Sequence, residues 1–378
     1  LIHKLHTKKD IEFFTSSKGW GGLERNMLVM ARWMKGAGHR VALSAPADSP
    51  TLKHAEQSGL DYVASAPDFS TLTSRLAGRR WGRKRHADIL WIRDRRDLDF
   101  GRHAAREMNA ALVMQQAMQI PWAKNQPWHL KRYQAVDAWV CGLEHLKVEC
   151  LERTPLLPEQ CHVLPLPLDA RWFEESEVSL QYAREALGLE LPSNAFLVGT
   201  VGRLDPGKGQ RLALQALALL PSKVHWVFVG DNTVNNGVDE RAHLERLTQE
   251  SGLESRVHML PGQDARGVYN ALDAFGMVST SETIGTVTLE AMARRVPVIG
   301  SRAGGTTELL SDGRGFLFEA GHAQDLARAV EAVRNASEAQ VDDVTRKARR
   351  WAEQSRAEEL IPAWEELMDA LVESRRKA

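Results

Sequence analysis

At 378 residues the chain is too long for one typical hydrophobic core and comfortable for two domains. Its 43% hydrophobic and 26% charged residues are ordinary for a globular protein, and no apolar run reaches the roughly 18 residues a membrane-spanning helix needs. The zero net charge hides a split: residues 1–170 hold 25 Lys+Arg against 18 Asp+Glu, and residues 171–378 hold 24 against 31.

The stretch Leu1–Asp10 is polar and basic and lacks the apolar core of a secretory signal. Ile11–Thr15 reads as a strand, followed by the glycine loop Lys18-Gly-Trp-Gly-Gly22. A helix is predicted over Leu23–Lys35, with Leu23, Met27, Met30, Ala31 and Met34 on one face. Further strands are predicted at Arg40–Ser44, Tyr62–Ala64, Asp88–Ile92, Ala111–Met114, Ala138–Cys141 and His162–Leu164. Between Arg75 and Arg106 eleven basic residues meet four acidic ones, with Trp81 and Trp91 interleaved. Such a stretch reads either as a solvated face or as a surface for anionic lipid or a phosphorylated acceptor. Cys141, Cys150 and Cys161 lack CxxC spacing and read as reduced thiols in a cytoplasmic protein, without zinc.

Pro165-Leu-Pro167-Leu-Asp169 looks like a linker, since two prolines disfavour helix interior and central strand alike. The domains are therefore expected at 1–167 and 168–358. In the second, strands are predicted at Phe196–Val201, His225–Val229, Arg256–Leu260, Ala274–Ser279 and Pro297–Gly300. Helices are predicted at Gln210–Leu220, Asp239–Ser251, Val268–Leu272 and Thr286–Arg294, and the chain ends in helices at Ala323–Asn335, Glu338–Glu353 and Glu359–Arg375. This alternation is that of an α/β protein with two consecutive doubly wound, Rossmann-like sheets, whose ligands lie beyond the carboxyl ends of the strands.

Four loops draw attention to those ends. Gly202-Arg-Leu-Asp-Pro-Gly-Lys-Gly209 follows a strand and offers Arg203 and Lys208 to a diphosphate; its order of residues excludes a P-loop. Gly19-Trp-Gly21 lacks the third glycine of the dinucleotide fingerprint, because Glu24 stands there, so a tight turn and a ligand-facing loop both remain open. Ala303-Gly-Gly-Thr-Thr-Glu308 leaves the same two readings. In Ser279–Ala293, Glu282 precedes and Glu290 follows a helix start at Gly285, whose free N–H groups attract anions.

In their order and spacing these loops resemble the retaining glycosyltransferases of the GT-B fold, family 4 (glycosyl transferases group 1), of the bacterial surface-glycan and lipopolysaccharide core type. The resemblance rests on Gly21-Gly22-x-Glu24, Gly38-His39-Arg40-Val41, Val163–Asp169, Gly202-Arg203 with Lys208-Gly209, Val229-Gly230, Glu282-x7-Glu290 with Ala291-Met-Ala293, Pro297-Val298 and Gly304-Gly305-x-x-Glu308. It implies an active-site cleft between the two domains, an N-terminal acceptor domain onto which helix 359–378 packs back, and a C-terminal donor domain. It implies a nucleotide-diphosphate sugar as donor, UDP by frequency, and a glycan or glycolipid acceptor. Arg203 and Lys208 would neutralise the diphosphate, with Gly22, Gly285 and the amides of Thr286 and Val287; Glu290 would hold the ribose, and Glu282 the sugar. The base would rest near Val257–Gly262. No metal or other cofactor and no nucleic acid is expected. The location implied is cytoplasmic, peripheral on the inner face of the cell membrane through the Arg75–Arg106 region.

Three departures stand out: Thr283-Ile284 replaces an aromatic-containing stretch, Arg295 replaces a glycine, and Leu166-Pro167 replaces Asn-Gly in the linker. No acceptor-side histidine is assignable, so Glu24, Arg93, Asp94 and Gln116 are the acceptor candidates. A nucleotide-sugar epimerase of the same fold and an inactive sugar-nucleotide-binding partner subunit are the alternatives, against which the intact Arg203, Lys208, Glu282 and Glu290 argue.

Overall fold

The computed structural model describes residues 7–116, 118–124, 126–233 and 237–377; residues 1–6 of the polar leading stretch lie outside the described residues. Two compact units are present, one running up to Asp169 and resuming at Gln354, the other spanning Ala170–Glu353.

Unit 1 is built on β1 (Asp10–Phe14), β2 (Arg40–Ala45), β3 (Tyr62–Ser65), β4 (Ile89–Ile92), β5 (Ala111–Gln115), β6 (Ala138–Cys141) and β7 (Cys161–Val163). They form one sheet in the order β3-β2-β1-β4-β5-β6-β7, every pairing parallel. Unit 2 carries β8 (Phe196–Val201), β9 (Val224–Val229), β10 (Val257–Leu260), β11 (Ala274–Met277), β12 (Val298–Ser301) and β13 (Phe316–Phe318), in the order β10-β9-β8-β11-β12-β13, again parallel throughout. Parallel strands are covered on both faces, so the central ones are apolar runs such as Ile89-Leu-Trp-Ile92, all buried. In each sheet the strand order reverses once, at β1/β4 in unit 1 and at β8/β11 in unit 2, and the strands flanking that reversal diverge into separate loops.

The C-terminal helix, Ala357–Lys377, belongs to unit 1. Leu360, Trp364 and Met368 enter the core around Phe13 and Trp91, with the Trp91 and Trp364 rings 4.2 Å apart. Lys9 and Arg375 tie the same helix down through ion pairs to Asp369 and Asp137.

Several expectations are corrected here. Trp81 and Trp91 are core residues and not exposed members of a basic surface: Trp91 packs against Phe13, and Trp81 packs against Phe14 and Phe100 with the Arg85 guanidinium over its ring at 5.2 Å, because aromatic area is worth most in the core. The arginines around them do not form one free patch either. Arg79 and Arg83 pair with Glu107, Arg102 with Asp99, and Arg96 with Asp94. The unit boundary falls after Asp169, not after Pro167, since Leu166 and Leu168 are buried and the Leu168 amide donates to the Ser355 carbonyl. The return crossing accordingly lies at Gln354. Strand β13 is an addition to the predicted elements.

Candidate functional site

In unit 2 the two loops at the β8/β11 reversal are pressed together. After β8 the chain turns at Gly202, and the Asp205 carboxylate accepts from the Gly207 amide and the Thr233 hydroxyl, each at 3.0 Å. This fixes the turn Pro206–Lys208. Gly209 follows with φ +77°, and a Cβ there would lie 1.9 Å from the Val278 carbonyl, so only glycine lets the β8 loop touch the end of β11. Across that contact Lys208 Nζ meets Glu282 Oε2 at 2.8 Å, with the two side chains 33% and 15% exposed. A partly exposed pair of this kind is worth about 0–1 kcal/mol, so both groups are easily redirected to a ligand. Arg203 is exposed and forms no ion pair among the described residues.

The Glu282 carbonyl accepts from the Gly305 amide at 2.9 Å, joining the β11 loop to the glycine pair after β12. Gly285, at φ +82°, opens the helix Thr286–Ala293, whose first-turn amides belong to Thr286 and Val287. One turn further, Glu290 is half-buried. The hydroxyl of Tyr269, itself fully buried, lies 2.9 Å from the Val287 carbonyl and 3.1 Å from Glu290 Oε2. Burial, then the Glu290 charge, push the Tyr269 phenol well above its usual range, so it stays a proton donor to that carboxylate.

In unit 1 the β1/β4 reversal opens instead into a cavity of about 990 Å³. Its wall comes from the carboxyl ends of five neighbouring strands, through Ser16, Pro46, Asp68, Asp94 and Met118, and from the helix Pro127–Tyr133. Behind it Asp97 is buried and accepts from the Ser16 amide and hydroxyl, and burial raises its pKa to about 7. Asp94 accepts from Arg96 through the amide at 2.8 Å and through Nη2 at 2.6 Å.

Residues 185–357 match the family model described as glycosyl transferases group 1. The chain carries a group 1 glycosyltransferase domain. Over 150 residues that cover 38% of this chain and 35% of the relative, it is 33% identical to a D-inositol 3-phosphate glycosyltransferase of Corynebacterium urealyticum. It is 33% identical over 147 residues to the lipopolysaccharide core biosynthesis glycosyltransferase LpsE of Rhizobium meliloti, covering 38% of this chain and 41% of LpsE. The chain thus spans less than half the length of these curated relatives. Among solved structures, HepE of Anabaena, in complex with UDP and glucose, superposes with a TM-score of 0.79 at 23% identity, covering 96% of this chain and 99% of HepE. A glycosyltransferase of Rickettsia africae reaches 0.84 at 17% identity, covering 97% and 99%. These last two likenesses are of fold, the GT-B arrangement of two Rossmann-like domains.

Within the group 1 domain, Arg203, Lys208, Glu282, Gly285, Thr286, Val287 and Glu290 all lie on the loops and helix at the β8/β11 reversal. Gly22 lies in unit 1, as the exposed first residue of the helix Gly22–Gly36. The acceptor candidates scatter. Glu24 is buried and accepts from the Ser17 hydroxyl at 2.7 Å and the Gly21 amide at 2.8 Å, so it closes the glycine loop. Arg93, 2% exposed, donates to the Leu23 carbonyl at 2.7 Å, and burial lowers its pKa to about 10. Gln116 is buried and accepts from the Trp139 indole at 2.8 Å. Asp94 alone of the four lines the unit 1 cavity. Residues not singled out from sequence are Tyr269, Asp205 and, in the unit 1 cavity, Lys124, His129 and Arg132, which join Arg95 of the basic Arg75–Arg106 stretch. Tyr269 left no signal beyond its place in a short predicted helix. Asp205 stands inside the quoted loop but was not given a role.

Proposed function

We infer that the chain transfers a sugar from a nucleotide-diphosphate donor held by unit 2 to a glycan or glycolipid acceptor held by unit 1, with retention of configuration and without a metal. The observation that carries this reading is the Lys208–Glu282 pair beside the Gly285 helix start, with Glu290 one turn away. In the reaction Lys208 leaves Glu282 for the diphosphate, and Arg203 and the Thr286 and Val287 amides add charge and donors where the leaving phosphate becomes more negative. Two cations and a helix end thereby do what a bound divalent ion does elsewhere. Glu282, released, turns to the sugar hydroxyls and to positive charge developing at the anomeric carbon. Glu290, held by Tyr269, accepts from the ribose hydroxyls, and the base lies along β10 and its exit to Gly262.

UDP is favoured as donor nucleotide because HepE binds it. Lipopolysaccharide or another surface glycan is favoured as product because LpsE is a glycosyltransferase of lipopolysaccharide core biosynthesis. Peripheral attachment to an anionic membrane is favoured by the segment that brings Lys124, His129 and Arg132 to the unit 1 cavity, where Trp122, Trp128 and Leu130 are exposed and the Lys124 ammonium lies 4.6 Å from the centre of the Trp122 ring. No helix among the described residues is long and apolar enough to cross a membrane.

The test is calorimetric titration with UDP, GDP, ADP and CDP in EDTA, followed by a transfer assay with the sugar donor of the nucleotide that binds. Binding of one diphosphate, weakened in Arg203→Ala and Glu290→Ala, is the expected result. Absence of binding by all four, or transfer that needs added metal, overturns the reading.

A further inference from the structure

The unit 1 cavity holds a second basic constellation that donor binding leaves unused. Arg95 follows β4, Lys124 lies on the segment after β5, and His129 and Arg132 sit on the helix Pro127–Tyr133. All four line the same cavity. Arg95 Nη1 and His129 Nδ1 are closed off from solvent and have no hydrogen-bond partner among the described residues. Buried polar nitrogens in that state cost free energy unless something bonds to them. The nearby acids do not supply it. Asp94 is taken by Arg96, and Asp99 is taken by Arg102 at 2.7 Å, leaving Arg132 at 3.6 Å. Burial and the charges of Arg95 and Arg132 depress the Lys124 ammonium, and burial with Lys124 and Arg132 depresses His129, so these groups feel one another rather than an anion.

From this geometry we propose that the acceptor carries a phosphate group, seated in the unit 1 cavity between Arg95, Lys124, His129 and Arg132. The proposal rests on the glycosyl-transfer reading for the word acceptor, but the anion site itself does not. A phosphomonoester dianion matches the two cations, Arg95 and Lys124, that have no ion-pair partner among the described residues. Its tetrahedral oxygens accept from donors on several sides, where a planar carboxylate offers two oxygens and one charge. Trp122, on which the Lys124 ammonium rests, and Trp128, next to His129, are exposed, so the phosphate can belong to a soluble sugar or to a lipid headgroup; the chemistry recognised is the same.

The test is calorimetric titration of the full chain with glucose 6-phosphate, glucose and glucuronate. It is run with saturating UDP, and again on Lys208→Ala without UDP, so that phosphate binding at unit 2 does not contribute. Glucose 6-phosphate is expected to bind, with glucose and glucuronate at least about ten-fold weaker. Arg95→Gln and, separately, the surface substitution Lys124→Gln are each expected to weaken glucose 6-phosphate about ten-fold and leave UDP affinity unchanged. Flotation with phosphatidic acid vesicles adds the lipid arm. Vesicle binding lost in Arg95→Gln as well as in Lys124→Gln, with no binding of glucose 6-phosphate, supports the site and puts the phosphate on a lipid, whereas loss in Lys124→Gln alone is surface attachment and overturns the site. Glucose 6-phosphate binding no tighter than glucose, together with vesicle binding that both variants retain, overturns the site; equal binding of glucuronate overturns the phosphate. Failure of UDP to bind, with the Lys208→Ala arm still showing glucose 6-phosphate binding, would sink the donor reading and leave the anion site standing.

Discussion

The two units solve the same topological problem and arrive at different surfaces. Each has a doubly wound parallel sheet with one reversal of strand order, and each gathers its polar loops at the carboxyl ends flanking that reversal. In unit 2 those loops close on each other: Gly209 lies against Val278, Glu282 bonds to Gly305, and the one lysine there is matched by one glutamate. In unit 1 the equivalent loops stand apart around a cavity of about 990 Å³ whose basic groups outnumber the acids free to meet them. The architecture therefore fixes where the polar loops gather, and the loop contacts decide whether the place is a tight socket or a wide basic one.

The comparison would be broken first by showing that the units do not carry separate cores. Trp364→Ala removes a fully buried ring from unit 1 and should destabilise it by about 3–5 kcal/mol. Urea unfolding followed through unit 1 and unit 2 probes should split into two transitions, with the unit 2 midpoint unmoved; one shared shift would mean a single cooperative body. Lys208→Ala tests the socket itself, and turnover should fall roughly 10²–10³-fold as charge stabilisation of the leaving group is lost. Transfer at the wild-type rate would remove Lys208 from the chemistry.

Unit 1 also carries a buried acid whose titration sharpens the contrast. Burial raises the Glu12 pKa from 4.5 to about 7, against the lowering pull of Arg85 and the Ser44 hydroxyl. Because the folded value is the higher one, the carboxyl contributes most below pH 4.5, and that contribution is lost as pH rises towards 7. Stability of wild type relative to Glu12→Gln should therefore fall by on the order of 3 kcal/mol between those values and stay level above them. A difference profile that is flat from pH 4 to 8 would refute the shift. Smaller still, Tyr269→Phe should weaken the diphosphate that binds by about five-fold, since a hydrogen bond of this kind contributes about 1 kcal/mol. Unchanged affinity would mean that Tyr269 only fills the core.

The smallest effect concerns Arg295, which adopts φ +57° just past the helix Thr286–Ala293 and pairs with Asp342. A left-handed residue there favours glycine, so Arg295→Gly should raise stability by about 0.5–1 kcal/mol, less whatever the exposed ion pair contributes. Thermal melts of Arg295→Gly and Asp342→Asn separate the two terms, and a loss of stability in Arg295→Gly larger than in Asp342→Asn would refute the strain.

What the sequence determined by itself was whatever depends on near neighbours. Alternating apolar runs gave the strands within one or two residues of their observed ends, and the glycine-bearing loops with Arg203, Lys208, Glu282 and Glu290 stood out because turn chemistry and helix starts are local. Strand β13 escaped notice because three residues between Gly315 and Glu319 are too short to show a period. The tertiary structure alone decided burial and long-range pairing. It put Trp81, Trp91 and Arg93 inside, where charge density along the chain had suggested a surface. It brought Lys208 to Glu282 across 74 positions and Tyr269 to Glu290 across 21. It also brought Arg95 to Lys124, His129 and Arg132, since a parallel sheet sets the ends of strands distant in sequence about 5 Å apart, a proximity that no spacing in the sequence encodes.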